Sequence, residues 1–203
     1  MTKNNKKGFT IIEVVLVLAI AGLIFLMVFV ALPALQRSQR NTRRRQDMAR
    51  IMSAIIDYQA NNGGKSPVTA TTTWGGYTGA EMDKDFPARY IEENLDASSI
   101  TPYSDGIIGR QVYSIKCQDG KSCDRFMDPD GQIYKIATTG EGITSLDHSS
   151  SVIDDFNHIV YIGIGIKCNS TNEDNFEVTG NPNDTVIRYV LEGGSIYCTD
   201  NQQ

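Results

Sequence analysis

The chain has 203 residues, a formal charge of −5 and four cysteines. That length holds one globular domain with an extension and excludes two ordinary domains. From residue 64 onward, 10 Lys/Arg stand against 21 Asp/Glu, a net of −11 (10 minus 21). Such a surface excludes general nucleic-acid binding, and any DNA contact would have to use basic residues elsewhere.

Residues 1–8, Met-Thr-Lys-Asn-Asn-Lys-Lys-Gly, are short and basic and have no apolar core. Apolar sequence starts at once after them. The 19 residues 14–32 carry no charge and no strong hydrogen-bonding side chain. At about 1.5 Å per residue they cover a hydrocarbon layer of about 30 Å as a helix. A secretory signal has a shorter apolar region followed by a small-residue cleavage site. Here the apolar run passes through Leu32-Pro33-Ala34-Leu35 into arginines, and the candidate cleavage point lies ahead of it, at Gly8.

Glu13 is the one acid in this stretch. A carboxylate near the start of a membrane helix costs about 2–3 kcal/mol unless it snorkels or finds a partner. Cutting between Gly8 and Phe9 creates an α-amine a few residues away. The amine of a neighbouring subunit would neutralise Glu13 and set the axial stagger of packed helices, because a mismatched register leaves both charges unpaired.

Lys6-Lys7-Gly8-Phe9-Thr10-Ile11-Ile12-Glu13 followed by an unbroken apolar helix resembles the processing motif of type IV pilins and pseudopilins. The resemblance covers about 30 residues. It implies cleavage after Gly8 by a membrane-embedded prepilin peptidase, N-methylation of Phe9 and a role for Glu13 in assembly. It further implies an assembly ATPase, a platform membrane protein and a helical homopolymer as partners. The family commonly carries a proline earlier in the membrane segment; here the proline is Pro33, with Gly22 at the earlier point.

Met48, Ile51, Met52, Ile55, Ile56 and Gln59 recur at helical spacing, and Asn61-Asn62-Gly63-Gly64 terminates the pattern. One helix over 9–62 follows, apolar all round in its first half and striped in its second. Arg37, Arg40, Arg43, Arg44, Arg45 and Arg50 lie just past the apolar run. Counted against three leader lysines, they would keep the C-terminal part in the cytoplasm. The processing motif and the cysteines, all on the far side of the apolar run, place it outside. The arginines are expected either to face acidic heads, Asp47 or Asp57 of neighbouring subunits, or to grip anionic membrane lipids before assembly.

The head reads as a Thr-rich loop over 67–79 with Trp74, then a short helix over 87–95 capped by Asp85. Strands follow at 111–117, 132–137, 159–168, 186–192 and 195–198, the last two joined by a two-residue turn at Gly193-Gly194. In the strand over 159–168, Val160, Ile162, Ile164 and Ile166 share a face. The fold class is α+β: a long N-terminal helix packed by its second half on an antiparallel sheet of four or five strands. The chain therefore divides into a leader (1–8), a transmembrane and assembly helix (9–35), its amphipathic continuation (36–62) and an extracellular head (63–203).

Cys168 and Cys198 each end a strand, and a bridge between them would resemble the disulfide-bounded C-terminal loop of many pilins. Cys117 and Cys123 suit a small local loop. Four cysteines allow three connectivities, and neither gap has zinc-ligand spacing. Asp128-Pro-Asp130-Gly-Gln-Ile-Tyr134 is similar to a run in major pseudopilins of type II secretion. It reads as a turn leading into a strand, with Asp128 and Asp130 as a weak calcium candidate. His148 and His158 sit in no recognisable triad, no phosphate-binding loop occurs, and neither enzymatic activity nor a cofactor is expected. Three functions remain. One is a pilus filament subunit serving adhesion, motility or DNA uptake, with a single-pass precursor in the cytoplasmic membrane. The second is a pseudopilin of a secretion or competence system, and the third a bitopic binding protein that never polymerises.

Overall fold

In a computed structural model, the structure describes residues 8–74, 77–99, 101–103, 110–139, 158–171 and 176–202. Leader residues 1–7, the Trp74 side chain, Gly75-Gly76 and His148 lie outside the described set. The chain divides into two compact units, Met1–Arg40 and Asn41–Gln203. Helix α1 (Ile11–Asn61) contributes to both.

In the first unit, the apolar side chains of α1 are exposed, with Ile11 85% accessible and Phe25, Leu26 and Phe29 each above 60%. Water would not tolerate such a surface, and among the described residues α1 is the one helix long and apolar enough to cross a membrane. Pro33 lies inside the helix, which continues through it.

In the second unit, α1 buries Met48, Ile51, Met52, Ala54 and Ile55, while Ile56 is 46% exposed and falls outside the expected stripe. Burying each large apolar side chain contributes about 1.5–3 kcal/mol. The helix ends where Gly64 N–H donates to the Gln59 carbonyl (2.8 Å) and Gly63 and Gly64 take φ of +66° and +82°.

Ten strands follow. They are β1 (Val68–Trp74), β2 (Tyr77–Met82), β3 (Thr101–Tyr103), β4 (Arg110–Ser114), β5 (Lys135–Thr139), β6 (Ile159–Ile164), β7 (Ile166–Cys168), β8 (Phe176–Val178), β9 (Thr185–Val190) and β10 (Ile196–Asp200). The main sheet has six strands in the order β10-β9-β6-β5-β4-β3. It is antiparallel except for the parallel pair β5–β6. The 19 residues 140–158 between that pair exceed the dozen or so a crossover needs. One face (Tyr113, Ile136, Val160, Ile162, Ile187, Tyr189) shares the core with Met48, Ile51 and Ile55. The other gathers Val112, Ala137, Ile159 and Tyr161.

Several expectations are corrected. The Thr-rich stretch is no loop but the β1–β2 hairpin, paired from Val68↔Met82 to Trp74↔Tyr77; β-branched threonines favour a pleated surface. The sheet is mixed and six-stranded rather than antiparallel with four or five strands. The helical turn after Phe86 spans only Pro87–Ile91, is π-type and has no side-chain cap. The long strand over 159–168 breaks at Gly165 (φ +69°), which carries Ile166 away from Val160 and Ile162 into a separate cluster with Phe176 and Val186. The β9–β10 connection has five residues, 191–195, rather than a two-residue turn: Leu191 N–H donates to the Ser195 carbonyl across Glu192, Gly193 and Gly194.

Candidate functional site: an N-terminal motif and a helix–head clasp

Gly8 and Phe9 precede α1 in an exposed, non-helical stretch, with nothing within 4 Å of where a Gly8 Cβ would stand. Thr10 caps the helix. Its N–H and Oγ both donate to Glu13 Oε2, at 2.9 and 2.8 Å, and Glu13 N–H donates back to Thr10 Oγ at 3.4 Å. This is a capping box, which satisfies helix-end donors reciprocally. Its T-x-x-E signature stands in the sequence, and the reading of Glu13 as an assembly acid passed over it. In the isolated chain, then, the carboxylate folds back on its own helix end.

The second cluster was not foreseen. Arg44 on α1 is 4% exposed, and its guanidinium forks onto Asp128, with Nε to Oδ2 and Nη2 to Oδ1 both 2.7 Å. Its Nη1 donates to Glu192 Oε1 at 2.7 Å. Tyr189 Oη donates to Asp128 Oδ2 at 2.8 Å. Three residues before Arg44 on α1, Asn41 grips the backbone of Glu192 at both ends, Nδ2 donating to the carbonyl (3.1 Å) and Oδ1 accepting from the N–H (3.0 Å). One turn along α1, buried Asp47 accepts from Tyr134 Oη at 3.0 Å and from Arg50 at 3.0 Å. Arg50 also donates to the Arg125 carbonyl.

The electrostatics follow from the geometry. Burial pushes the Asp128 carboxyl up, but the hydrogen bonds from Arg44 and Tyr189 outweigh it and bring it down to about 2. Burial and the neighbouring carboxylates push the Tyr134 and Tyr189 phenols up, so both stay neutral donors. Asp47 is raised by burial, against the Tyr134 hydrogen bond and the nearby Arg50 and Arg43 charges. A buried charge pair persists only when its remaining donors and acceptors are satisfied; here Asn41, Tyr189 and Glu192 do so. The expectation that these arginines and Asp47 face neighbouring subunits is thus corrected for Arg44, Arg50 and Asp47, which are bound within their own chain. Asp57 is exposed.

The Asp128–Tyr134 run forms a turn: Gly131 N–H donates to the Asp128 carbonyl at 2.8 Å, and Gly131 takes φ +91°. His158 stands over it, Nε2 3.3 Å from Asp130 Oδ2 and Nδ1 3.7 Å from Asp128 Oδ2. These three offer ligand atoms within 4.8 Å of one another. Arg44 and Tyr189 already occupy Asp128, which leaves Asp130 and His158 as side-chain ligands among the described residues, against the six to eight oxygens calcium takes. Cys117 pairs with Cys123 and Cys168 with Cys198, with Cα atoms 5.9 Å apart in each bridge.

Residues 3–29 match the family model of the prokaryotic N-terminal methylation motif. No curated protein and no solved structure matches the chain. The match agrees with the type IV pilin and pseudopilin resemblance and supports a processed, pilin- or pseudopilin-like surface subunit. The motif implies processing by prepilin peptidase and assembly in a pilus-like system. Together with the apolar helix it fits a membrane-anchored precursor.

Proposed function

We propose that the chain is a structural, non-enzymatic subunit of a type IV pilus. It is stored in the cytoplasmic membrane with its head outside, cut after Gly8, methylated on Phe9 and polymerised through α1 into an extracellular fibre. An assembly ATPase and a platform protein drive the transfer. The observation that carries this reading is the methylation motif at 3–29, which runs from the leader into the first half of α1, where the apolar surface is exposed. Such a helix needs lipid or copies of itself around it. Glu13 then leaves its capping box to meet the amine of a neighbour's Phe9, exchanging a solvated contact for one that fixes register.

Glu13→Ala tests this. Precursors should still insert and be cleaved, while fibres are lost or misregistered by electron microscopy. Fibres of wild-type order in the variant would remove the role of Glu13.

A pseudopilin is the second reading, favoured by the Asp128-to-Tyr134 run. Negative-stain microscopy separates the two: long surface fibres mark a pilus, and their absence with processing intact marks a pseudopilus.

A further inference from the structure

Two of the arginines that follow the apolar stretch are used inside the subunit, Arg44 by Asp128 and Glu192 and Arg50 by Asp47. Arg43 and Arg45 are exposed, and among the described residues neither forms an ion pair; Arg43 only adds its field to that holding Asp47 ionised. At 100° per residue they stand about 100° to either side of Arg44. Because Arg44 points into the head, Arg43 and Arg45 project from opposite flanks of α1.

The charge balance says what they meet. The sequence from residue 64 onward carries a net −11. Packed copies bring such heads within a Debye length of about 8 Å, where they repel unless a positive group stands between them. In the second unit ahead of the head, α1 supplies that positive charge. An anionic lipid surface is the poorer partner, since it would repel the head that carries the arginines.

We infer that Arg43 and Arg45 dock onto the acidic heads of two different neighbouring copies of this chain, one on each flank of α1. The inference rests on the polymer-forming reading above. Each contact joins unlike surfaces, helix to head, and a contact of that kind repeats into an open filament rather than closing on a dimer.

The test uses the full chain expressed with its assembly machinery, as wild type, Arg43→Glu/Arg45→Glu, Arg43→Gln/Arg45→Gln and Arg43→Lys/Arg45→Lys. Readouts are the N-terminal mass, thermal unfolding in detergent, sheared-fibre yield at increasing NaCl, and sedimentation with phosphatidylglycerol vesicles. Expected results are unchanged processing and unfolding throughout. Fibre yield should fall about tenfold or more in the Glu pair, fall less in the Gln pair and hold in the Lys pair, and wild-type fibres should dissociate with salt. Wild-type fibre yield and salt resistance in both the Glu and Gln pairs would overturn the inference. So would a defect confined to vesicle binding, which assigns the arginines to lipid. An unprocessed wild-type chain without polymer overturns the underlying reading as well, and is recognised by its N-terminal mass.

Discussion

Arg44 and Asp128, 84 positions apart, form a two-bonded ion pair at 2.7 Å per bond with both side chains at or below 5% exposure. The pair pins the second half of α1 to the turn before β5, while Glu192 extends the hold to the β9–β10 turn. Any load carried along α1 therefore reaches the sheet through a charged contact as well as through Met48, Ile51 and Ile55.

Removing one partner leaves the other buried and uncompensated. Arg44→Ala should destabilise the second unit by about 3–5 kcal/mol, read by chemical denaturation in detergent. Arg44→Lys should recover only part of this, because an ammonium cannot fork onto both Asp128 oxygens.

Asn41→Ala removes the grip on the Glu192 backbone and leaves an N–H and a carbonyl to find water. A loss of about 1–2 kcal/mol is expected by the same measurement. An unchanged midpoint would show that solvent replaces both bonds at no cost.

Asp128 sets an acid limit. Its folded pKa of about 2 lies below the unfolded value of about 3.9. Its contribution is therefore fully present above the unfolded value and is lost as pH falls through the folded one. That is a loss on the order of 2 kcal/mol between about pH 5 and pH 2. Asp47 is shifted the other way, so its ionisation is a cost near neutrality that is relieved as pH falls. Asp47→Asn should consequently steepen the acid loss, and a denaturation series across this range reads both.

The two disulfides close loops of different size, with sequence separations of 30 for Cys168–Cys198 and 6 for Cys117–Cys123. Chain entropy assigns about 3.5 kcal/mol to the longer loop and about 2 kcal/mol to the shorter. Cys168→Ser/Cys198→Ser should lower stability more than Cys117→Ser/Cys123→Ser. The reverse order would mean that strain or unfolded-state structure, not loop length, governs the bridges.

The N-terminal motif and the helix were legible because both are local: a basic leader, a charge-free run and a 3.6-residue stripe stand in consecutive residues. The capping box at Thr10 and Glu13 was equally local and could have been found. Strand direction was not, since side-chain alternation has the same period in parallel β5–β6 as in an antiparallel pair. Thr71, Thr72 and Thr73 looked like a loop from polarity alone, though β-branching favours the hairpin they form. The Arg44 clasp was invisible for another reason. Six arginines in one stretch look alike in sequence, and only the turns carrying Asp128 and Glu192 select the one that is buried.

The most direct test is the intact mass of the subunit purified from fibres or membranes. It should correspond to a chain starting at Phe9 with one added methyl group and two disulfides. A chain still carrying Lys3, Lys6 and Lys7, with an unmodified N-terminus and no polymer in the preparation, would contradict processing. Glu13 would then have no amine to meet.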